Sequence, residues 1–388
     1  MIVLRKITLL APLITMFLGC APVNFGTGTL SSPAQTSSQT NPQGSGTCGL
    51  PYNNGPFETP MGTPLTIPLS TILTNDGIAQ GTSDKFGILT QPNQGGTLTF
   101  NGTSFTFTPT PGFVGTSTFS YSVTTPQGCN GNVVVQVNTR TVATQAVYAQ
   151  SPTTLFQFDT NWNPITLGQF TYNGEPLVIT DIAISSQGLL YGVSSNGYVS
   201  SPTSASIYSI DPLTGDLGLI KSFDGSVVGD VTGLAFISTN QAVIGGNGLF
   251  IFDISTGVLT TLVAPQYQTY PPFTGLSPTL TLAYQTDGDV ILLPDGNLYW
   301  TVLGTGNDFS KLYRVNPNVP GAAVPVLIAT LTEQSVLGLG YENGLLIGFS
   351  QNGDIFNIDP TSGVISGKRP NPSVSGGWGG ATTNPVTW

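Results

Sequence analysis

Residues 207–215 read IYSIDPLTG, residues 249–257 read LFIFDISTG and residues 355–363 read IFNIDPTSG. Two shorter copies of this stretch, LFQFD at 155–159 and LYRVN at 312–316, complete a series whose members begin 52, 42, 63 and 43 residues apart. In each long copy the aspartate can bond turn backbone and the glycine supplies a positive φ, so an apolar strand runs into a hairpin. A repeat of about 45 residues, enough for four short strands, predicts a β-propeller blade.

A second repeated strand precedes four of these copies, and Ala or Gly stands at its third place. The innermost strands of a propeller crowd around the axis, which gives small residues there a steric reason. Each of these strands is followed by another apolar strand. The aligned segments are Asp181–Ile184, Gly233–Phe236, Thr281–Tyr284 and Gly338–Tyr341.

The two ends of the repeat region complement each other. Ala146–Ala149 reads as a second strand without a first, and the missing strand appears at Trp378–Thr382. We therefore predict an all-β chain in which residues 142–388 form a five-bladed propeller closed by the C-terminal strand, because closure removes an exposed sheet edge. Six blades are the alternative, since the 63-residue gap could hold extra strands. The repeat resembles the Leu-Tyr-x-Ile-Asp-x-x-Thr-Gly blades of bacterial surface propellers, and this implies little about function.

Residues 48–141 show short alternating apolar stretches broken by Gly, Pro and Asn, as expected for a β-sandwich. Within them, residues 89–123 carry Phe105-Thr-Phe-Thr-Pro109, Pro111-Gly-Phe-Val-Gly115 and Phe119-x-Tyr121. This pattern resembles the Ig-like or cadherin-like module repeated in large bacterial surface proteins. The resemblance implies a spacer or adhesive domain, often linked by calcium.

Two positions count against calcium in this domain. Ser117 and Thr125 stand where the family commonly has aspartate, and calcium sites usually include several carboxylates. Asp76 and Asp84 are the remaining weak metal candidates. Asp76 lies in an Asn-Asp-Gly triplet, which is more typical of a turn, so we expect neither a metal nor a cofactor.

The N-terminus resembles a bacterial lipoprotein export signal. Arg5 and Lys6 precede an apolar run that ends in Phe17-Leu-Gly-Cys20, and the run is too short to span a bilayer. We expect residues 1–19 to be removed and Cys20 to be acylated, which would attach the protein to a membrane; secretion without a lipid is the alternative. Residues 20–47, poor in large apolar groups, would then be a flexible tether.

Composition agrees with an extracytoplasmic location and excludes several functions. Only 7% of residues are charged and the net charge is -10, so the chain cannot neutralise a run of phosphates and nucleic-acid binding is disfavoured. Cys48 and Cys129 fit an oxidising compartment and are predicted to form a disulfide, with two free thiols as the alternative.

The sequence contains no histidine, so Ser-His-Asp and Cys-His catalytic sites and ordinary zinc sites cannot form. A glycosidase needs only carboxylates, and Asp181, Asp230 and Asp287 or Asp289 lie near inner-strand positions. We interpret these aspartates as caps of turns and strand ends. In the aligned repeats, Gly233, Thr281 and Gly338 stand at the position equivalent to Asp181. Asp181 is therefore expected to lack an acidic partner, and we assign no catalytic residue.

Aromatic side chains are the candidates for ligand contact. Tyr267, Tyr270 and Phe273 lie on the Pro-rich insertion 264–278, where they could stack on a sugar or instead cover a blade edge. Trp162 lies at the tip of the first hairpin and is either an exposed contact residue or packed on the neighbouring domain.

These observations favour a non-enzymatic, lipid-anchored or secreted protein of the bacterial envelope. In this hypothesis an Ig-like spacer presents a propeller that binds a glycan, an envelope component or a protein. The first alternative is an extracellular carbohydrate-active enzyme, which two carboxyl groups about 5 to 10 Å apart in the central pocket would favour. The second alternative is a structural subunit of an envelope layer.

Overall fold

The computed structural model describes residues 53–75, 85–88, 90–124, 130–195, 204–265, 267–269, 280–282, 285–303, 309–371, 374 and 377–387. Several predictions lie outside these ranges, and they concern the signal peptide 1–19, the tether 20–47, Cys20, Cys48, Cys129, Asp76 and Asp84. Within the described ranges, every helix is too short or too polar to cross a bilayer.

The N-terminal domain is a sandwich of two sheets with strand orders β1-β7-β6-β3 and β2-β5-β4. β1 runs parallel to β7, whereas the other pairs are antiparallel. The elements are Asn54–Pro60 (β1), Leu65–Pro68 (β2), Leu69–Asn75 (α1), Lys85–Ile88 (β3), Gly96–Phe100 (β4), Ser104–Pro109 (β5), Gly115–Thr124 (β6) and Asn130–Arg140 (β7).

Alternation along these strands builds the sandwich core, because successive side chains point to opposite faces. Phe105 and Phe107 on β5 meet Phe119 and Tyr121 on β6, and all four are at most 2% exposed. The motif residues that carry the Ig-like resemblance are therefore mainly core residues.

The second domain consists of short strands from Val147 to the C-terminus. The elements are Val147–Ser151 (β8), Thr154–Phe158 (β9), Pro164–Gln169 (β10), Thr171–Tyr172 (β11), Glu175–Pro176 (β12), Asp181–Ile184 (β13), Leu190–Ser195 (β14), Ser204–Ile210 (β15), Leu217–Asp224 (β16), Gly225–Val228 (α2), Gly233–Phe236 (β17), Gln241–Gly245 (β18), Leu249–Asp253 (β19), Leu259–Val263 (β20), Tyr267–Thr269 (β21), Leu280–Leu282 (β22), Thr286–Leu292 (β23), Leu298–Val302 (β24), Lys311–Val315 (β25), Val326–Thr330 (β26), Val336–Glu342 (β27), Leu345–Ser350 (β28), Ile355–Ile358 (β29), Ile365–Arg369 (β30), Gly380–Thr383 (β31) and the 3-10 helix Pro385–Thr387.

Within the described residues, these strands form five four-stranded antiparallel sheets, which we call the blades. Blade 1 has the order β10-β9-β8-β31, and blades 2 to 5 have the orders β13-β14-β15-β16, β17-β18-β19-β20, β23-β24-β25-β26 and β27-β28-β29-β30. In blade 1 the C-terminal strand pairs with β8, with Thr383 opposite Val147 and Gly380 opposite Gln150. The innermost strands contact one another in a ring, from β31 through β13, β17, β23 and β27 back to β31. The all-β prediction with a sandwich and a propeller is confirmed.

The repeated aspartates have the turn role expected from sequence. The Oδ1 atoms of Asp211, Asp253 and Asp359 accept hydrogen bonds from backbone N–H groups two or three residues ahead. In the same hairpins Gly215, Gly257 and Gly363 have φ between 71° and 82°, a region that favours glycine.

One strand assignment was wrong. Thr281–Tyr284 was aligned with the inner strands, but β22 pairs with β21 in a separate two-stranded sheet. The inner strand of blade 4 is β23, which begins five residues later at Thr286. Both segments alternate and both lie upstream of an apolar strand, so only the pairing of β23 with β24 distinguishes them.

Candidate functional site

A small pocket lies on the propeller axis, at the ends of the inner strands. Its volume is about 160 Å³, and its walls include Ala183, Ala235, Ile291, Ala381 and Thr382. The described residues that line it are aliphatic, aromatic or hydroxyl-bearing, and none of them is charged. This lining can surround an apolar or hydroxylated group, but it offers no acid or base.

Two carboxyl groups lie on the axis away from this lining. Asp181, the first residue of β13, and Asp289 in β23 are both 0% exposed. Asp181 Oδ2 accepts the N–H of Leu234 at 2.6 Å, and Asp289 Oδ2 accepts the N–H of Leu339. Each carboxyl therefore joins its own blade to the next blade, which agrees with a structural role.

The two carboxyl groups also lie close enough to influence each other's ionisation, and the Oδ1 atom of each has no hydrogen-bond partner among the described residues. Burial, together with the neighbouring Asp289 carboxyl, raises the pKa of Asp181 well above its usual range. Burial likewise raises the pKa of Asp289, although backbone N–H groups and Asp181 oppose the rise. Burial and the like charge of the neighbouring carboxyl both oppose ionisation of this pair.

The expectation that Asp181 lacks an acidic partner was therefore wrong. When β23 is taken as the inner strand of blade 4, Asp289 stands at the repeat position equivalent to Asp181. The equivalent residues in the other three blades are Gly233, Gly338 and Gly380. A Cβ atom on Gly380 would lie 2.2 Å from Asp181 Oδ1. The glycines leave room for two carboxyls, and the correct alignment is the sequence signal that would have revealed the pair.

The other two predicted axial acids are separate from this pair. Asp287 accepts a hydrogen bond from the hydroxyl of Ser310, and burial raises the pKa of its carboxyl. Asp230 is partly buried, which raises its pKa, and among the described residues its Oδ1 has no hydrogen-bond partner.

A larger cleft of about 310 Å³ lies between the two domains. The sandwich contributes residues of β1 and β2, including Phe57, Glu58 and Leu65, and the propeller contributes Tyr191 and Ser255 among others. Small-molecule sites occur preferentially at such interfaces, and this volume is at the lower end of their range.

Glu58 is the only charged residue among the described residues that line this cleft. Its side chain is 5% exposed, Oε1 accepts a hydrogen bond from Asn138 Nδ2 at 2.8 Å, and Oε2 lies 3.8 Å from Arg140 Nε. Burial raises the pKa of Glu58 to about 7, although Arg140 and Asn138 oppose the rise. No sequence pattern pointed to this residue, because its burial depends on the packing of the propeller against the sandwich.

Arg140, the last residue of β7, links the two domains. Its Nη1 donates a hydrogen bond to the hydroxyl of Ser209 on β15. Tyr191 on β14 is 2% exposed and packs against Phe236, with ring centroids 4.7 Å apart. Burial, followed by the Glu58 charge, raises the pKa of Tyr191 well above its usual range. The cleft is therefore lined on the propeller side by the packed ring of Tyr191 and on the sandwich side by the acidic residue Glu58.

Trp162 is half-buried inside the propeller. It has a φ of 65° in the β9–β10 turn, and its ring lies 5.3 Å from Phe158 and 6.4 Å from Phe349. The guanidinium of Arg369 lies 5.1 Å from the Trp162 ring centroid. Its contacts are thus with its own and the adjacent blade, not with the neighbouring domain, and one part of the ring remains accessible.

The predicted loop aromatics lie mainly outside the described residues. Tyr267 begins β21, and Tyr270 and Phe273 lie outside the described residues. In the part of the chain that the structure describes, no group of three or more acidic or cysteine side chains could hold a metal ion. The predicted contact role of the three aromatics stays a prediction.

Comparison with solved structures finds distant likenesses, three of which follow. The U3-55K structure is 11% identical, with a TM-score of 0.34 over 59% of this chain and 64% of that chain. A quinoprotein alcohol dehydrogenase-like protein from Bacteroides thetaiotaomicron is 14% identical, with a TM-score of 0.27 over 79% of this chain and 78% of that chain. The WD40 β-propeller domain of Doa1 is 12% identical, with a TM-score of 0.29 over 58% and 64%. The chain spans less than two thirds of the first and third of these, and such likenesses say nothing about its function.

No curated protein matches this sequence. The family comparison is informative for the first domain only, where the match spans most of the sandwich strands described above. Residues 51–138 match the family model of the bacterial Ig domain, which confirms the Ig-like prediction for this part of the chain.

Proposed function

We propose that the chain is a non-enzymatic binding protein of the bacterial cell surface or extracellular space, in which an Ig-like domain carries a propeller that binds a glycan. The bacterial Ig match supports the extracellular location. Attachment through an acylated Cys20, or secretion without a lipid, belongs to this proposal, as does the absence of a resident cofactor.

The observation that carries the proposal is that the axial pocket is separate from the axial pair of carboxyl groups. The axial pocket is lined by neutral side chains, while Asp181 and Asp289 are sealed at 0% exposure and bonded to backbone. Glycoside hydrolysis needs two accessible carboxyl groups on either side of the scissile bond. A pocket with neutral walls, such as the axial pocket, instead suits binding of hydroxylated ligands by hydrogen bonds and apolar contacts.

The adjacent turns of blades 2 and 3 support a binding face that spans both cavities. Ser186 and Ser238 line the axial pocket, whereas the next residues, Gln187 and Thr239, line the interdomain cleft. The two cavities therefore lie side by side along the same pair of turns, and a glycan held there could contact both.

The test is a screen of the full chain against an array of neutral and acidic oligosaccharides and against isolated envelope fractions. A double variant, Ser186→Trp with Thr239→Trp, places an indole at the edge of each cavity from positions that are exposed. The matched control is Thr166→Trp with Thr260→Trp, at exposed positions on the outer strands β10 and β20.

We expect saturable binding of an oligosaccharide that falls at least tenfold in the double variant and is kept in the control. Release of new reducing ends from the bound saccharide would overturn the proposal in favour of the enzyme alternative. Binding to no saccharide, together with self-association of the chain on sedimentation, would overturn it in favour of the structural envelope subunit.

A further inference from the structure

The cleft between the sandwich and the propeller has the position and the volume of a small-molecule binding site. It is bounded by β1 and β2 on one side and by the turns that carry Gln187, Thr239 and Asn240 on the other. Its volume, about 310 Å³, is roughly twice that of the axial pocket. Interfaces between domains are preferred places for ligands.

Glu58 is the polar group in this cleft that the fold leaves incompletely satisfied. One carboxyl oxygen is bonded to Asn138, but among the described residues Oε2 has no hydrogen-bond partner although it is buried. Its ion-pair contact with Arg140 Nε, at 3.8 Å, is too long to be a hydrogen bond. A buried acceptor without a donor is costly, so a ligand that supplies an O–H or N–H group gains from binding here.

The rest of the lining indicates which ligand would supply it. Apolar walls come from Phe57, Leu65 and Ile67, while Thr66, Gln187 and Asn240 offer hydroxyl and amide groups. A pyranose ring has C–H faces that pack on apolar side chains and hydroxyls at its edge that bond to neutral polar groups. A sugar that carries its own carboxylate would place a like charge beside Glu58.

From this geometry we propose, on the basis of the proposed function above, that the interdomain cleft is the principal saccharide site and that it takes a neutral sugar. Because Oε2 is buried, the Glu58 side chain turns on binding so that a ring hydroxyl donates to Oε2. The ring lies between β2 and the Thr239–Asn240 turn. The axial pocket next to it is then an accessory surface. Because both domains form the walls, bound sugar also holds the Ig-like domain against the propeller.

The test uses the full chain and the neutral oligosaccharide that binds most tightly in the array, with affinities measured by calorimetry. Four single variants are compared, namely Glu58→Gln, Thr239→Trp in the cleft, Ser186→Trp in the axial pocket and Thr260→Trp on the outer strand. At pH 8, where Glu58 is ionised, we expect Glu58→Gln to weaken binding about tenfold, the value of one hydrogen bond to a charged acceptor. A flipped glutamine amide cannot restore the bond, because its Nε2 would then face the Asn138 Nδ2 donor.

Thr239→Trp is expected to weaken binding at least as much, whereas Ser186→Trp and Thr260→Trp are expected to change it less than threefold. If Ser186→Trp abolishes binding while Glu58→Gln and Thr239→Trp bind as the parent does, the cleft assignment is wrong and the proposed function stands. If the parent binds acidic or cationic saccharides in preference to neutral ones, the ligand class is wrong. Absence of binding to every saccharide overturns the proposed function itself.

Discussion

Replacement of Glu58 by glutamine should stabilise the Ig-like domain, and more strongly at higher pH. The side chain is 5% exposed, and its pKa is raised from 4.5 to about 7 by burial. Because the folded chain holds the proton more tightly than the unfolded chain, ionisation of Glu58 opposes folding. This cost is nearly absent below pH 4.5, grows between pH 4.5 and 7, and is fully present above pH 7.

The magnitude follows from the shift. One pKa unit corresponds to about 1.4 kcal/mol, so the shift to about 7 corresponds to a cost of about 3 kcal/mol at pH 8. Glutamine has nearly the same shape, carries no charge and can still accept the hydrogen bond from Asn138 through Oε1. The variant should thus have the same free energy of unfolding as the parent at pH 4, and about 3 kcal/mol more at pH 8.

Amide hydrogen exchange read by mass spectrometry on β1 and β7 measures this difference locally, which avoids treating two domains as one transition. Glu175→Gln is the matched control, since Glu175 is exposed on β12. A difference between Glu58→Gln and the parent that is the same at pH 4 and pH 8 would refute the burial argument. A difference that appears equally in Glu175→Gln would show that net charge, and not Glu58, is responsible.

Three further changes test the propeller. Asp289→Asn can keep the bond from Leu339 and removes one of the two titrating carboxyls. Since both pKa values are raised, we expect the variant to lose less stability than the parent in urea unfolding as the pH rises above the usual carboxyl range, and an equal loss would contradict the raised pKa values. Gly380→Ala puts a Cβ 2.2 Å from Asp181 Oδ1 and should cost about 2 to 3 kcal/mol, with Gly379→Ala, nearest contact 3.1 Å, as a milder control in the same experiment. Trp162→Ala removes a half-buried ring and should cost about 2 kcal/mol of unfolding free energy, but leave saccharide affinity unchanged; a large loss of affinity would return Trp162 to the binding site.

Local pattern was sufficient for the elements that depend on neighbours in the chain. Alternating apolar residues predicted the strands, and Asp253 with Gly257 predicted a hairpin that the structure confirms. The spacing of such hairpins predicted the propeller, and Phe105 to Tyr121 predicted the Ig-like core. The strands, the hairpins and most blades require contacts between residues only a few tens of positions apart.

Contacts that cross blades or domains were decided by tertiary structure alone. The residue patterns of Thr281–Tyr284 and of β23 both fit an inner strand. Only backbone pairing with β24 shows that β23 is the inner strand. That choice placed Asp289 beside Asp181. Likewise, Glu58 looks in the sequence like any polar residue of an alternating strand. Only the approach of the propeller turns removes its carboxyl from water and creates the cleft. Sequence periodicity sets which way a side chain points from its own strand, but desolvation depends on what lies opposite, and that is fixed only when distant segments pack together.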